Sequence, residues 1–331
     1  MRVLVTGAEG YLGRKLVRAL LQRNTLAGPS GKPEPIDHIL LTDMAPAMAA
    51  PAADSRLAYV GGDIADPAFA AKLFEDRPNA VFHLAALMSS GAEKQFEAGY
   101  QANLHGTIHL LEAARRAGNV PRFIFTSTIA TFGGELPGLV LDTQRQTPQS
   151  SYGTQKAIGE LLVNDYSRRG YIDGRSLRLP IIAVRGGAPS TATSAWASDI
   201  VREPLSGNAY ASPVEPGDRG YLLSPRRCIE GLITGHDSPA EAWGRDRAVM
   251  MAGLACSAAD LVAAVARIGG QAAADLVRWQ PDPFIRNIVT TWPSAFRLDK
   301  ATRIGLVADA SVDEIVRNYV EDDSTPAGPR A

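Results

Sequence analysis

Along the first 180 residues, short apolar runs alternate with longer stretches whose apolar positions recur at helical spacing. Each run has the length and the polar or glycine borders of a buried strand, and each longer stretch has the period of a helix with one buried face. The runs start at Arg2 and recur at His38–Asp43, Leu57–Val60, Ala80–Ala86, Arg122–Gly133 and Gly174–Ile182. Between them lie helical stretches at Tyr11–Gln22, from about Pro67 onward, at Leu104–Ala117 and from Tyr152 onward. This alternation predicts an α/β fold, a doubly wound parallel sheet of Rossmann type with its ligand at the point where strand order reverses. The glycines and prolines of Thr25–Pro35 predict a surface loop, and the Ala- and Pro-rich stretch Ala45–Ala53 predicts another.

After Ile182 the pattern changes. Val184–Asp199 has little regular period and many small hydroxyl residues, which predicts a loop folded over a ligand. A strand from Arg219 and a helix after it are expected to return to the sheet. Val249–Gly270 reads as a strand and then a helix capped by Ser257 with Asp260 three residues on. Two more capped helices follow, with Asp299 in one and Ser311 with Glu314 in the other. The expected organisation is a dinucleotide-binding domain over 1–180, joined by 219–237. Segments 181–218 and 238–321 form a smaller substrate or lid domain, and 322–331 a disordered tail.

Composition narrows the class. With 331 residues, 45% hydrophobic content and a net charge of −1, the chain has material for a large core, and bulk charge implies no nucleic-acid or anionic-membrane partner. No apolar run approaches the length of a membrane span, and no signal peptide precedes the first strand. The two cysteines, Cys228 and Cys256, have neither disulfide nor metal spacing and suit small buried positions in a reducing cytoplasm. His105 and His109 stand four apart on a helix without the acid of a metal-binding pair, so no metal is expected.

The chemistry concentrates at strand ends. Gly7, Gly10 and Gly13 fall between the first strand and the first helix, spaced for a tight turn, a close approach to a pyrophosphate, and helix–strand packing. Tyr11 and Leu12 open the helix whose free N–H groups face the phosphates. Asp43 ends the second strand 30 residues beyond Gly13, and the inserted loop accounts for the excess over the spacing of about 20 seen in dinucleotide sites. An acid there accepts from ribose hydroxyls and repels a 2′-phosphate, which selects NAD over NADP. Asp63 and Ile64 are placed for the adenine, although Asp63 also suits a helix cap. Leu84, Ala85 and Ala86 let backbone approach the ligand, and Asn103, Thr126 and Pro180 complete the cofactor candidates. Tyr152 and Lys156, at i and i+4 on one helix face, form a phenol and ammonium pair suited to proton abstraction. Thr128 offers a hydroxyl at the fifth strand end.

TGAEGYLG, GDIAD, HLAA, TST and YGTQK resemble the extended short-chain dehydrogenase/reductase family, and the late LDKATRIGL and SVDEIVRNYV extend the resemblance over nearly the whole chain. The resemblance implies NAD, hydride transfer, Tyr152 as base, Lys156 as its tuner and ribose ligand, and Thr128 holding the reacting hydroxyl. It also implies a homodimer through the helices at Leu104–Ala117 and Tyr152–Arg168. SYGTQKAIGELLVNDYSRRGYIDGRSLRLP is similar to members that oxidise a four-carbon sugar acid, D-erythronate, at C2. For its carboxylate the candidates are Arg185 and Arg219, with Ser89, Ser90 and Ser194 as hydroxyl partners. Two departures stand out: Thr128 replaces a common serine, and Ile181 stands where sugar-nucleotide enzymes of the family carry asparagine. The alternatives are a nucleotide-sugar epimerase that retains its NAD and a non-enzymatic NAD sensor.

Overall fold

A computed structural model describes residues 1–44, 54–187 and 192–324, so the stretch expected as a second surface excursion, Ala45–Ala53, lies outside the described residues. Seven strands form one sheet in the order 248–250, 173–179, 122–128, 80–83, 2–6, 38–43, 57–61, every pair parallel. Strand order reverses between Arg2–Thr6 and Ala80–His83, the crevice where such sheets bind ligands. Both faces are covered. Leu16, Leu20, Leu232 and Ile233 belong to the core on one side, and Leu110, Leu111, Phe123 and Val163 to that on the other. Central strands buried on both faces explain why runs such as VLV in the first strand and FIF in the fifth are apolar throughout rather than alternating.

A second lobe has its own core, in which Trp196, Ile200, Leu261, Val265 and Ile315 pack together. It carries a three-stranded sheet of Ile181–Ile182, Arg219–Leu223 and Leu254–Ser257. Pro180 interrupts the sixth run, which ends on the main sheet at Leu179 and resumes at Ile181 on the small one. The chain thus crosses between lobes within two bonds of a proline that cannot donate to either ladder. The stretch read as one strand from Val249 also divides: Ala248–Met250 is the main sheet's edge, whereas Leu254–Ser257 pairs antiparallel with Arg219–Leu223. Strand Arg219–Leu223 therefore lies in the small sheet, while the helix after it, Pro225–Asp237, packs on the main one.

Four local expectations need correction. Thr25–Pro35 is not a plain loop, because Thr25–Ala27 and Pro33–Pro35 pair antiparallel and Leu26 is fully buried; both prolines sit on an edge, where a missing N–H costs nothing. The expected ligand-covering loop Val184–Asp199 gives way to helix at Trp196–Leu205, with Trp196, Ile200 and Val201 buried at helical spacing, and its residues 188–191 lie outside the described residues. The tail is ordered through Ser324, and Asp323 binds back to the first helix through Tyr11 and Lys15; residues 325–331 lie outside the described residues. The helix Ala258–Gly269 does carry a reciprocal capping box of Ser257 and Asp260, and Ser311 caps Val312–Asp322, but Asp299 lies inside its helix and caps nothing.

Candidate active site

A cavity of about 1140 Å³ opens at the carboxyl ends of the central strands and runs between the two lobes. It exceeds the roughly 300–1,000 Å³ of an ordinary small-molecule pocket. A dinucleotide and a small substrate require that room.

Its floor is the first strand–helix turn. Gly7 has φ +70°, and a Cβ there would lie 2.6 Å from the Ala85 nitrogen; a Cβ on Gly13 would lie 2.1 Å from the Gly7 carbonyl oxygen. Only glycine fits either place. Gly10 caps the helix without any side-chain hydrogen bond, and the first turn holds no acidic residue. Its N–H donors therefore face the cavity unclaimed by a side chain, beside Tyr11 and Leu12. Asp43 borders the same space at its strand end, its carboxylate accepting from the Glu9 and Met44 backbone. Asp63 and Ile64 form the adjoining wall. The helix cap that Asp63 also suited belongs to Asp66. On the opposite side stand Leu84, Ala85, Ala86, Thr126 and Pro180. The residues present fit a dinucleotide bound along the switch point.

Asn103 is displaced from its expected place. It is buried behind the wall, on a π-helical turn, Tyr100–His105, that precedes the helix Gly106–Ala117. Its amide takes the Leu87 N–H at 2.7 Å and donates to the Leu87 carbonyl and to Gln155. Asn103 thus pins the loop that forms the wall instead of touching the cavity. Ser90 also falls outside the cavity lining, although Ser89 borders it. Arg219 is exposed on the small sheet, donating to the Ala255 carbonyl, and takes no part in the cavity. An isolated arginine in a strand pattern carries no signal of which lobe its strand joins.

Tyr152 and Thr128 face the cavity from neighbouring elements. Ser150 caps the helix Ser151–Arg168 and so fixes where its first turn, with Tyr152, begins. Lys156 is fully buried one turn on, its ammonium 4.7 Å from the Phe125 ring centre and 5.8 Å from that of Tyr152. Burial drives the lysine down to about 7, against the pull of Glu160. Burial likewise pushes the Tyr152 phenol up to about 12, and the charge that opposes this is Arg185. The Lys156 ammonium sits over the Tyr152 ring face, and Arg185 is the charge that opposes burial at the phenol. Beneath them, Glu160 receives Arg178 at 2.7 Å and the Ser127 hydroxyl, a buried network that holds the strand end to the helix.

The second lobe closes the other side, and most of its contribution was not anticipated. Ser194 borders the cavity as expected, and Ser198, Asp199 and Arg202 join it from the face of the helix Trp196–Leu205. Arg185 is half-buried, its guanidinium 5.4 Å from the Tyr11 ring centre. Burial and the neighbouring Arg202 lower its proton affinity. Arg202 is neutralised by Asp199 at 2.6 Å and Glu203 at 3.0 Å, whereas Arg185 has no carboxylate partner among the described residues. Trp292 completes the wall. The helical spacing of Ser198, Asp199 and Arg202 was available in the sequence, but the small hydroxyl residues before them obscured it.

Among the described residues no group of three or more histidines, cysteines, aspartates or glutamates is placed to hold a metal ion, and no helix is long and apolar enough to cross a membrane. His83 is buried between the hydroxyls of Thr6 and Thr107, and burial holds it neutral. Both cysteines are buried and free.

Residues 3–211 match the NAD dependent epimerase/dehydratase family, and the chain belongs to it. D-erythronate dehydrogenase of Cupriavidus necator is 46% identical over 97% of this chain and 98% of its own length. The enzyme of that name from Haemophilus influenzae is 35% identical over 98% of this chain and all of its own. Among solved structures, the nucleoside-diphosphate-sugar epimerase from Agrobacterium tumefaciens superposes with a TM-score of 0.92 at 39% identity, covering 97% of this chain and 94% of that one. The chain is an NAD-dependent dehydrogenase of this family.

Proposed function

We propose that the protein oxidises a small 2-hydroxy sugar acid, D-erythronate, to 2-dehydro-D-erythronate. The observation that carries the reading is Arg185: a half-buried, cavity-facing cation near Tyr152 that has no acidic partner among the described residues. A substrate carboxylate supplies the missing anion, and a charge-assisted contact of that kind contributes about 1.5–3 kcal/mol per hydrogen bond. The two relatives named for D-erythronate support the same substrate.

When bound, NAD supplies the hydride acceptor. Tyr152 accepts the proton of the C2 hydroxyl, and Thr128 holds that hydroxyl in line. Arg185 assists twice, by fixing the carboxylate and by favouring the phenolate. Lys156, buried one turn beyond Tyr152, would bind the nicotinamide ribose, and Asp43 would accept from the adenosine ribose and so exclude NADP. The unit acts in the cytoplasm as a homodimer, with the second lobe as its substrate domain.

The epimerase reading draws on the Agrobacterium structure's name. A panel of sugar acids and UDP-sugars with NAD, followed at 340 nm, separates the two. Net NADH from erythronate, little from erythritol, and a KM for erythronate raised about tenfold or more by Arg185→Ala are the expected results. Conversion of a UDP-sugar without net NADH, indifferent to Arg185, would establish the epimerase instead.

A further inference from the structure

The face of the helix Trp196–Leu205 has a polarity that the proposed reaction leaves unused. Arg202, 6% exposed, is saturated: Nη2 donates to Asp199 Oδ1 at 2.6 Å, Nε to Glu203 Oε1 at 3.0 Å, and Nη1 to the Arg185 carbonyl at 3.1 Å. It has little capacity left for a substrate anion, but it fixes Asp199 in one orientation against the cavity. The other Asp199 oxygen has no protein donor among the described residues. Ser198 on the same face accepts the Arg185 backbone N–H at 3.1 Å. Arg185 and Asp199 are therefore held by one helix, a cation and an acceptor-only carboxylate bordering one space. Glu203 does not border it.

Resting on the sugar-acid reading, we infer that Asp199 is a specificity-determining residue that accepts a hydrogen bond from the hydroxyl end of the substrate and rejects any second anionic group there. A carboxylate can accept from a hydroxyl but can only repel a carboxylate or phosphate. With the substrate acid at Arg185 and the C2 hydroxyl at Tyr152, the remaining carbons would meet Asp199 and Trp292, which border the same cavity. The site thus takes short monoacids with a free terminal hydroxyl. Four-carbon diacids and terminally phosphorylated sugar acids are excluded by charge rather than by size.

The test compares erythronate, its diacid counterpart tartrate and 4-phosphoerythronate as substrates and as competitive inhibitors, in wild type, Asp199→Asn and Glu203→Gln. Asparagine keeps the shape and still accepts from Arg202, and Glu203→Gln weakens Arg202's partners without altering a group that borders the cavity. The expected outcome for Asp199→Asn is a KM for erythronate raised several-fold with kcat little changed. Discrimination against the two dianions should fall tenfold or more, and Glu203→Gln should keep wild-type discrimination. Unchanged discrimination in Asp199→Asn, or equal loss in Glu203→Gln, overturns the inference while leaving the sugar-acid reading intact. Wild type that reduces NAD with no sugar acid overturns that reading, and this inference with it.

Discussion

Lys156 shows how burial and function pull one side chain in opposite directions. Its side chain is buried, with the Phe125 and Tyr152 ring faces close by and Glu160 as the opposing charge. Burial lowers it from 10.5 to about 7. Between those values the unfolded chain binds a proton that the folded chain does not, so stability rises with pH across that window, and this contribution is lost as pH falls toward 7. Replacing Lys156 with methionine should flatten that slope by up to about 1.4 kcal/mol per pH unit. Denaturant titrations of wild type and Lys156→Met from about pH 7.5 to about pH 10 would measure the difference, and parallel slopes would show that the lysine stays charged in the folded chain. The Tyr152–Lys156 pair was legible from its spacing only in company with the glycine turn, Asp43 and the strand-end hydroxyls that precede it. The identity of the cation that opposes burial at the phenol was not, because Arg185 reaches it from the other lobe.

At the scale of elements, the first strand, the glycine turn and the first helix were readable because each answers to a local rule: period, missing Cβ, open N–H groups. The turn is also intolerant of change. A methyl on Gly13 meets the Gly7 and Ala8 backbone, which cannot swing aside as a side chain would. Gly13→Ala should weaken NAD binding by an order of magnitude or more in calorimetry, with Gly138→Ala, where a Cβ meets nothing within 4 Å, as the unaffected control. What the sequence hid was tertiary in origin. Nothing local distinguishes a strand on the main sheet from one on the small sheet, so Arg219 was assigned to a site its strand never reaches. Asn103 offers the same polar group to a ligand as it does to Leu87, and only the π-helical turn decides which it meets.

For the whole molecule the helix faces bear on assembly. The helix Ser151–Arg168 buries Gly159 and Val163 inward, meets the helix Gly106–Ala117 through Tyr166 and Glu112, and leaves Leu161 67% exposed on another flank, near Gln144 and Arg145. Pairing of these two helices across a two-fold axis would cover it. Sedimentation at micromolar concentration should show a dimer, and Leu161→Glu should shift it toward monomer without loss of fold by circular dichroism. A wild-type monomer would refute the pairing. The bond between Asp323 and Tyr11 has a different kind of consequence for the whole chain, since it joins residues 312 positions apart. During synthesis the carboxylate that clasps Tyr11 and Lys15 is made 312 positions after Tyr11, later than every strand of the parallel sheet that the turn serves. A nascent chain can build the parallel sheet and still present an unclasped dinucleotide site, so the bracing of that site comes later than the sheet itself.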